Sequence, residues 1–272
     1  MAKSKNRQKK IAIVTGASAG LGKEFALQIE KEFFLDEIWL IARRMEPMKD
    51  LCEKFSKSKG VCLSLDLTNE GDMLALQKRL SDENPDLVIL VNNAGYGKIG
   101  PFEKLGLSEQ LSMIDLNVRS LTELTHIALP HMKSGGAILQ VASSIAYCPA
   151  PNFAVYAASK AYVLSLAEAL GFELKARGVH VMAVCPGPVE TEFFSVAQKN
   201  EFMKNKVPDA DPFNKSLMAH PKDVVERALK DLRAKKSRSV YGLPIKLFVN
   251  SMKIMPKQLA MRALARRKAE KA

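Results

Sequence analysis

The chain is predicted to fold as an α/β protein: a doubly wound parallel sheet of about seven strands with helices on both faces. Three observations predict this. Near-continuous apolar runs of five or six residues recur along the sequence, the pattern of parallel strands buried on both faces. Between them lie longer segments whose apolar residues return every third or fourth position, as on one face of a helix. The first strand-like run ends in the glycine turn Gly16-Ala17-Ser18-Ala19-Gly20-Leu21-Gly22 and passes directly into a helical pattern. Repeated alternation of the two patterns implies parallel strands joined by helical crossovers.

The elements follow in order. Residues 11–15 read Ile-Ala-Ile-Val-Thr, a first strand, and Leu21, Phe25, Ile29 and Phe33 mark one face of a helix over 21–33. Further strands are expected at 37–42, 61–65, 87–91, 137–142 and 179–184, with a short last one at 239–241. Helices are expected at 45–56, 71–80, 109–132, 155–176 and 221–234. Residues 187–220 break the alternation. They open Gly-Pro, carry a mixed apolar and charged stretch from Glu192 to Lys206, and end in turns containing Pro and Asp. An insertion of this length after a core strand reads as a lid or substrate loop. No linker, internal repeat or low-complexity stretch divides the 272 residues, so one domain spanning 1–272 is expected.

The net charge of +12 sits at the two ends. Residues 1–10 carry five basic groups and no acid, and residues 243–272 carry eight against Glu270, so the ends contribute +5 and +7. The body, 11–242, balances at 28 basic against 28 acidic groups. Basic ends with no Cys/His finger and no aromatic RNA-binding signature argue for solubility or attraction to an acidic surface, not for nucleic acid. Cys52, Cys62, Cys148 and Cys185 form no Cys-x-x-Cys pair and cluster with no His. That argues against a zinc site or a disulfide framework and for free thiols in a cytoplasmic protein, and no metal is expected. The basic start is not followed by a signal-type apolar core, and no stretch approaches about 18 apolar residues, so neither secretion nor a membrane span is expected.

The chemistry centres on Tyr156 and Lys160, in Tyr-Ala-Ala-Ser-Lys. Four apart on a helix, their side chains leave the same face. A phenol ordinarily titrates near pH 10 and is a poor acid or base at neutral pH. A nearby ammonium favours the phenolate and lowers that value, which makes a usable general acid/base. The strand, glycine turn and helix make a phosphate site: glycine allows close backbone approach, and the helix start offers free N–H groups at the positive dipole end. Asn92-Asn93-Ala94-Gly95 follows the fourth strand, and Ser143 closes the fifth, thirteen residues before Tyr156.

These residues together resemble the short-chain dehydrogenase/reductase family in its classical form. The Thr-Gly-x-x-x-Gly-x-Gly motif is matched by Thr15, Gly16, Gly20 and Gly22, and the Asn-Asn-Ala-Gly motif by Asn92 to Gly95. The family's active-site residues fall on Asn117, Ser143, Tyr156 and Lys160, and its Pro-Gly motif on Pro186-Gly187 with Thr191 beyond. The resemblance runs from about Ile11 to about Tyr241. Ala142 and Gln140 stand where the family often has serine and asparagine, and neither touches the expected chemistry. The resemblance implies a Rossmann-type fold and hydride transfer between a nicotinamide and a carbonyl or secondary alcohol. Tyr156 would move the proton. Lys160 would lower the tyrosine's pKa and hold the nicotinamide ribose. Ser143 would hydrogen-bond the substrate oxygen. Asn117 would bend or hydrate its helix and anchor a water that relays protons to Lys160.

The resemblance also implies a dinucleotide held by Thr15, Gly16, Ser18, Ala19, Gly20, Leu21 and Gly22 of the turn. Asp66 and Leu67 would follow at the adenine, and Asn93, Ala94 and Gly95 along the cleft. Tyr156, Lys160, Pro186, Gly187, Val189 and Thr191 would complete the site. An acid at the end of the second strand would accept from a ribose 2′-hydroxyl and repel a 2′-phosphate. This chain reads Ile41-Ala42-Arg43-Arg44 there. A guanidinium suits a phosphate in charge and forked geometry, so NADP(H) is preferred and NAD(H) possible, with Arg43 the first contact and Arg44 the second.

An apolar substrate body, acyl, terpenoid or sterol-like, is expected from Phe193, Phe194, Val196, Phe202, Met203, Val207, Phe213, Leu217, Met218, Phe248 and Met252, with Tyr147 and Phe153 beside the catalytic residues. The segment 243–272 has Leu247, Phe248, Met252, Met255 and Leu259 at near-helical spacing, interrupted by Pro256. It reads as a basic amphipathic extension that either closes the active site or lies on an anionic membrane. A homo-oligomer, dimer or tetramer, is implied by the resemblance through helices 109–132 and 155–176, with Ala157, Ala158 and Ala161 allowing close approach. A nucleotide-sensing protein without catalysis is the alternative class; a broken Tyr or Lys would mark it, and both are intact.

Overall fold

The structure is a computed structural model that describes residues 7–199, 218–256, 258, 259 and 261. Its elements are β1 (Lys10–Thr15), α1 (Gly20–Glu32), β2 (Glu37–Ala42), α2 (Glu46–Cys52), β3 (Lys59–Ser64), α3 (Glu70–Glu83), β4 (Asp86–Asn92), α4 (Leu107–Ile114), α5 (Leu121–Ala128), β5 (Ala137–Val141), α6 (Ala154–Glu173), β6 (His180–Val184), α7 (Phe193–Gln198), α8 (Pro221–Arg233), β7 (Arg238–Ser239) and α9 (Leu243–Ile254). The strands form one seven-stranded sheet in the order β3-β2-β1-β4-β5-β6-β7, and every neighbouring pair is parallel. The expected fold class is the observed one.

Strand alternation sorts the core into two layers. Ile11, Ile13, Trp39, Ile41, Leu87 and Leu90 face one side, against Met73, Leu76 and Leu80 of α3, Leu121 and Leu124 of α5, and Val163 and Leu164 of α6. Ala12, Val14, Ile38, Leu40, Ile89 and Val91 face the other, against Phe25 and Ile29 of α1, Met48 and Leu51 of α2, and Val225 and Leu229 of α8. The chain order reverses between β1 and β4. This opens the crevice at their carboxyl ends where such sheets bind ligands.

Several expected boundaries move. Lys10, read as part of a basic tail, is the first residue of β1; its N–H donates to Asp36 Oδ2 at 2.8 Å, and Lys9 pairs with Glu37 at 2.9 Å. That end is therefore partly charge-matched by the body. The single helix expected over 109–132 is three pieces: α4, a wide π turn at Asp115–Ser120, and α5 with a final tight turn. Ser120 Oγ donates to Asp115 O at 2.8 Å within the wide turn. The last strand covers Arg238–Ser239 rather than 239–241, and the chain turns at Gly242 (φ +82°) into α9.

The excursion over 187–220 leaves and returns at one place. Val189 bridges Ala219, and Glu190 N donates to Ala219 O at 3.0 Å. Phe202, Met203, Val207, Phe213 and Leu217, expected to line the pocket, lie outside the described residues.

The carboxy-terminal segment docks beside the strand ends. α9 packs on the turn at Ser144–Tyr147, Ile245 lies against Gly187, and Val249 is buried. The helix ends at Ile254, two residues before Pro256. Its outer face exposes Leu243, Leu247 and Ile254. Among the described residues, no helix is long and apolar enough to cross a membrane.

Candidate active site

The crevice begins with Thr15 at the end of β1. Its hydroxyl accepts the N–H groups of Asn93 and Ala94, both at 2.9 Å, and Asn93 Nδ2 donates back to Thr15 O at 2.9 Å. These bonds lock the glycine turn to the end of β4. Gly16 has φ +64°, and a Cβ there would fall 2.7 Å from Asn93 Nδ2, so only glycine fits. α1 then starts at Gly20 with no side-chain cap and no acid in its first turn. Its leading N–H groups, together with the helix dipole, form a ready anion site. Thr191, half-buried, lies over Gly20.

Asp66, Leu67, Arg43 and Arg44 sit at the neighbouring strand ends. Asp66 is held by Thr68, which donates through N at 3.0 Å and Oγ1 at 2.7 Å, and its carboxyl stays below its ordinary pKa despite partial burial. Arg43 is 77% exposed in its side chain, with Asp66 at 3.9 Å. Arg44 reaches Ser18 Oγ at 3.3 Å and the Glu192 carboxylate at 2.8 Å. Nothing in the spacing of the sequence pairs Glu192 with Arg44. The glycine cradle, the uncapped helix start and the two arginines together fit a phosphorylated dinucleotide.

Tyr156 and Lys160 are both on α6 and both buried. Phe153 stacks on the Tyr156 ring at 4.3 Å between centroids, and Phe193 covers it at 5.3 Å. Burial raises the phenol above its ordinary pKa, and a hydrogen bond with Ser143 opposes the rise. Lys160 Nζ donates to Val141 O at 2.7 Å and lies 5.9 Å from the Tyr156 ring centroid. Burial holds the lysine down to about 8 from 10.5. This differs from the expectation that the ammonium pulls the phenol down. With both groups out of water, desolvation penalises the charged form of each.

Ser143 follows β5, half-buried, and its Oγ accepts from Ile145 N at 3.3 Å. Asn117, fully buried in the wide turn, donates to Tyr96 O at 2.9 Å and Ser159 Oγ at 3.0 Å and accepts from Tyr96 N at 3.1 Å. Those three bonds turn the side chain inward, which accounts for the break in the helix. Tyr96 and Ser159 carried no signal in the sequence. A Cβ on Gly95 would fall 2.8 Å from Asn117 Oδ1 and 3.4 Å from Lys160 Nζ, so glycine keeps a small gap between the two. Gln140 is fully buried and bonds Asn92 Nδ2 at 3.0 Å and Thr125 Oγ1 at 2.9 Å, a polar knot behind the crevice.

Pro186 and Val189 are buried and Gly187 is half-buried beside Ile245. Tyr147 points to Cys185 Sγ at 3.7 Å, under Lys253, whose Nζ is 5.7 Å from the ring centroid. Phe194 meets Phe193 edge to face at 5.4 Å, while Val196, expected to line the pocket, is exposed. Met218, Phe248 and Met252 are half-buried. All four cysteines are free thiols, and Cys52 Sγ lies 3.1 Å from Cys62 Sγ.

The short chain dehydrogenase family matches residues 10–201. The chain is 33% identical over 191 residues to sulfoacetaldehyde reductase 2 of Chromohalobacter salexigens, covering 67% of this chain and 74% of that protein. It is 29% identical over 217 residues to 17-beta-hydroxysteroid dehydrogenase type 3 of Mus musculus, covering 77% of this chain and 68% of that one. Among solved structures, it resembles a short-chain dehydrogenase from Sphingobium yanoikuyae in complex with NADPH, at TM-score 0.73 and 26% identity over 86% of this chain and 88% of that one.

Proposed function

The chain belongs to the short-chain dehydrogenases, oxidoreductases that depend on NAD(P), and from that premise we propose that it interconverts a carbonyl and a secondary alcohol with NADP(H) on an apolar substrate. The observation that carries the reading is the group formed by half-buried Ser143 with buried Tyr156, Lys160 and Asn117 beside the strand ends. When bound, the nicotinamide supplies or takes up the hydride. Tyr156 donates the proton to the developing alkoxide in reduction and accepts it in oxidation. Ser143 hydrogen-bonds the substrate oxygen where charge develops. Lys160 holds the ribose hydroxyls and, once charged, favours the phenolate. Asn117 anchors a water that relays protons to Lys160.

The nucleotide's phosphates are held by the turn from Thr15 to Gly22 at the start of α1, and its adenine side by Asp66 and Leu67. Asn93, Ala94, Gly95, Pro186, Gly187, Val189 and Thr191 line the nicotinamide half. NADP(H) is supported by Arg43 and Arg44 and by the lack of an acid at the end of β2. An apolar substrate is supported by Phe153 and Phe193 around Tyr156, by Phe194 against Phe193, and by the half-buried Phe248 and Met252 of α9. A cytoplasmic location belongs to the same reading, supported by the four free thiols. Screening the purified protein with NADPH against apolar ketones and aldehydes tests the whole. No NADPH oxidation with any of them would sink it.

Truncation after Tyr241 is expected to weaken substrate binding and lower turnover, with a smaller effect on nucleotide affinity. The deletion uncovers Tyr147, Gly187 and the turn at Ser144–Tyr147, so water enters beside Ser143. Steady-state kinetics and a nucleotide titration on the folded truncated protein check this. Normal turnover with lost binding to anionic vesicles would instead assign the segment to a membrane surface.

A homo-oligomer, dimer or tetramer, is part of the reading. Leu107, Leu111 and Ile114 of α4 and Tyr162 and Phe172 of α6 are exposed, and Ala158 and Ala161 lie on the same open face of α6, whereas Ala157, expected with them, is buried. Symmetric pairing of such helices is the commonest oligomer geometry. Light scattering should return at least twice the 30.0 kDa chain mass; a monomer without detergent would refute it.

A further inference from the structure

Arg44 stands beside the glycine turn, where a nucleotide's 2′-phosphate is expected, yet its guanidinium already holds an anion. It meets the Glu192 carboxylate fork to fork, Nη2 to Oε2 at 2.8 Å and Nη1 to Oε1 at 3.4 Å. Carboxylate and phosphate make the same demand of a guanidinium, two acceptor oxygens in its plane. Glu192 comes from 148 positions further along the chain and is the N-cap residue of α7. The next residue, Phe193, is the one that covers the Tyr156 ring at 5.3 Å.

We propose that Glu192 is a specificity-determining residue: it occupies Arg44 in place of the 2′-phosphate, so a 2′-phosphate takes Arg44 only by releasing the start of α7. The inference rests on the NADP(H) reading above. A 2′-hydroxyl carries no charge to displace the carboxylate and leaves the tether in place. The same exchange joins the adenine end of the crevice to the catalytic end, because the tethered helix carries Phe193. The two side chains are 52% and 59% exposed, so the competition is worth a small factor and fades as salt rises.

Calorimetric titration of the full chain at low salt tests it, with adenosine 2′,5′-bisphosphate and adenosine 5′-monophosphate as probes. Glu192→Gln should bind the bisphosphate roughly two- to fivefold tighter and the monophosphate unchanged. The gain should vanish when Arg44→Gln is also present. In the wild type, hydrogen exchange of the amides of α7 should be faster with the bisphosphate than with the monophosphate. Unchanged or weaker bisphosphate binding by Glu192→Gln overturns the proposal, as does equal exchange with the two probes. A wild type that prefers the bisphosphate, with no gain in the variant, refutes the role of Glu192 and leaves the NADP(H) reading standing. A preference that appears only in Glu192→Gln supports the role of Glu192 and refutes that reading for the natural chain. No preference in either protein overturns both.

Discussion

Tyr156→Phe is expected to stop turnover while leaving nucleotide affinity nearly unchanged. The substitution keeps the ring that stacks on Phe153 and lies under Phe193, so the packing survives. It removes the hydroxyl that faces Ser143, the proposed proton donor. General acid catalysis by a positioned group contributes about a hundredfold to ten-thousandfold. Burial holds the phenol above its ordinary pKa, so at neutral pH it is protonated, the state that donates. Reduction should therefore need no prior ionisation of Tyr156, whereas oxidation should speed up as the pH rises toward the phenol's pKa. Single-turnover NADPH oxidation, run beside a nucleotide titration, checks the variant. A residual rate above about a tenth of wild type would contradict the assigned role.

The second large effect is expected at the end of β2. Replacing Arg43 and Arg44 by glutamine should weaken NADP(H) binding and leave NAD(H) little changed. A hydrogen bond to a charged group contributes on the order of 1.5–3 kcal/mol. Both side chains are exposed, which argues for the low end, about tenfold per contact and about a hundredfold for the pair. The two positions differ in a way the sequence did not show. Among the described residues, Arg43 is paired with the Asp66 carboxylate, at 3.9 Å, whereas Arg44 gives up an ion pair with Glu192 on binding. Arg43→Gln alone should therefore cost more than Arg44→Gln alone. KM values for NADPH and NADH in the single and double variants measure this. Equal losses for the two cofactors would mean that the arginines serve the fold rather than the phosphate.

Much of the fold was legible because its determinants are local. Strands buried on both faces must be apolar throughout, and the runs at 11–15, 37–42 and 87–91 lie within or match observed strands. Boundaries were less legible where side chains decided them. Asn69 caps α3 through Asp72 N and starts it one residue earlier than its apolar pattern. Asn117 splits a helix that periodicity reads as continuous. The wide turn exists because buried Asn117 bonds Tyr96 and Ser159, partners outside its own helix that no heptad count reveals.

The candidate site divides the same way. Sequence alone determined which residues the site could contain. A turn that needs a positive φ writes a glycine into the chain, a phosphate site needs an open helix start, and a Tyr and a Lys four apart share a helix face; each of these demands is met within a few residues. Only the tertiary structure decided their states. It placed Glu192 on Arg44 across 148 positions, Phe193 on Tyr156, and Ile245 against Gly187. It also placed Tyr156 where burial raises the phenol's pKa instead of the expected lowering, and Lys160 where burial holds it down to about 8. The physical reason is that ion pairing and desolvation depend on what is brought alongside a group in three dimensions, and local spacing does not encode that.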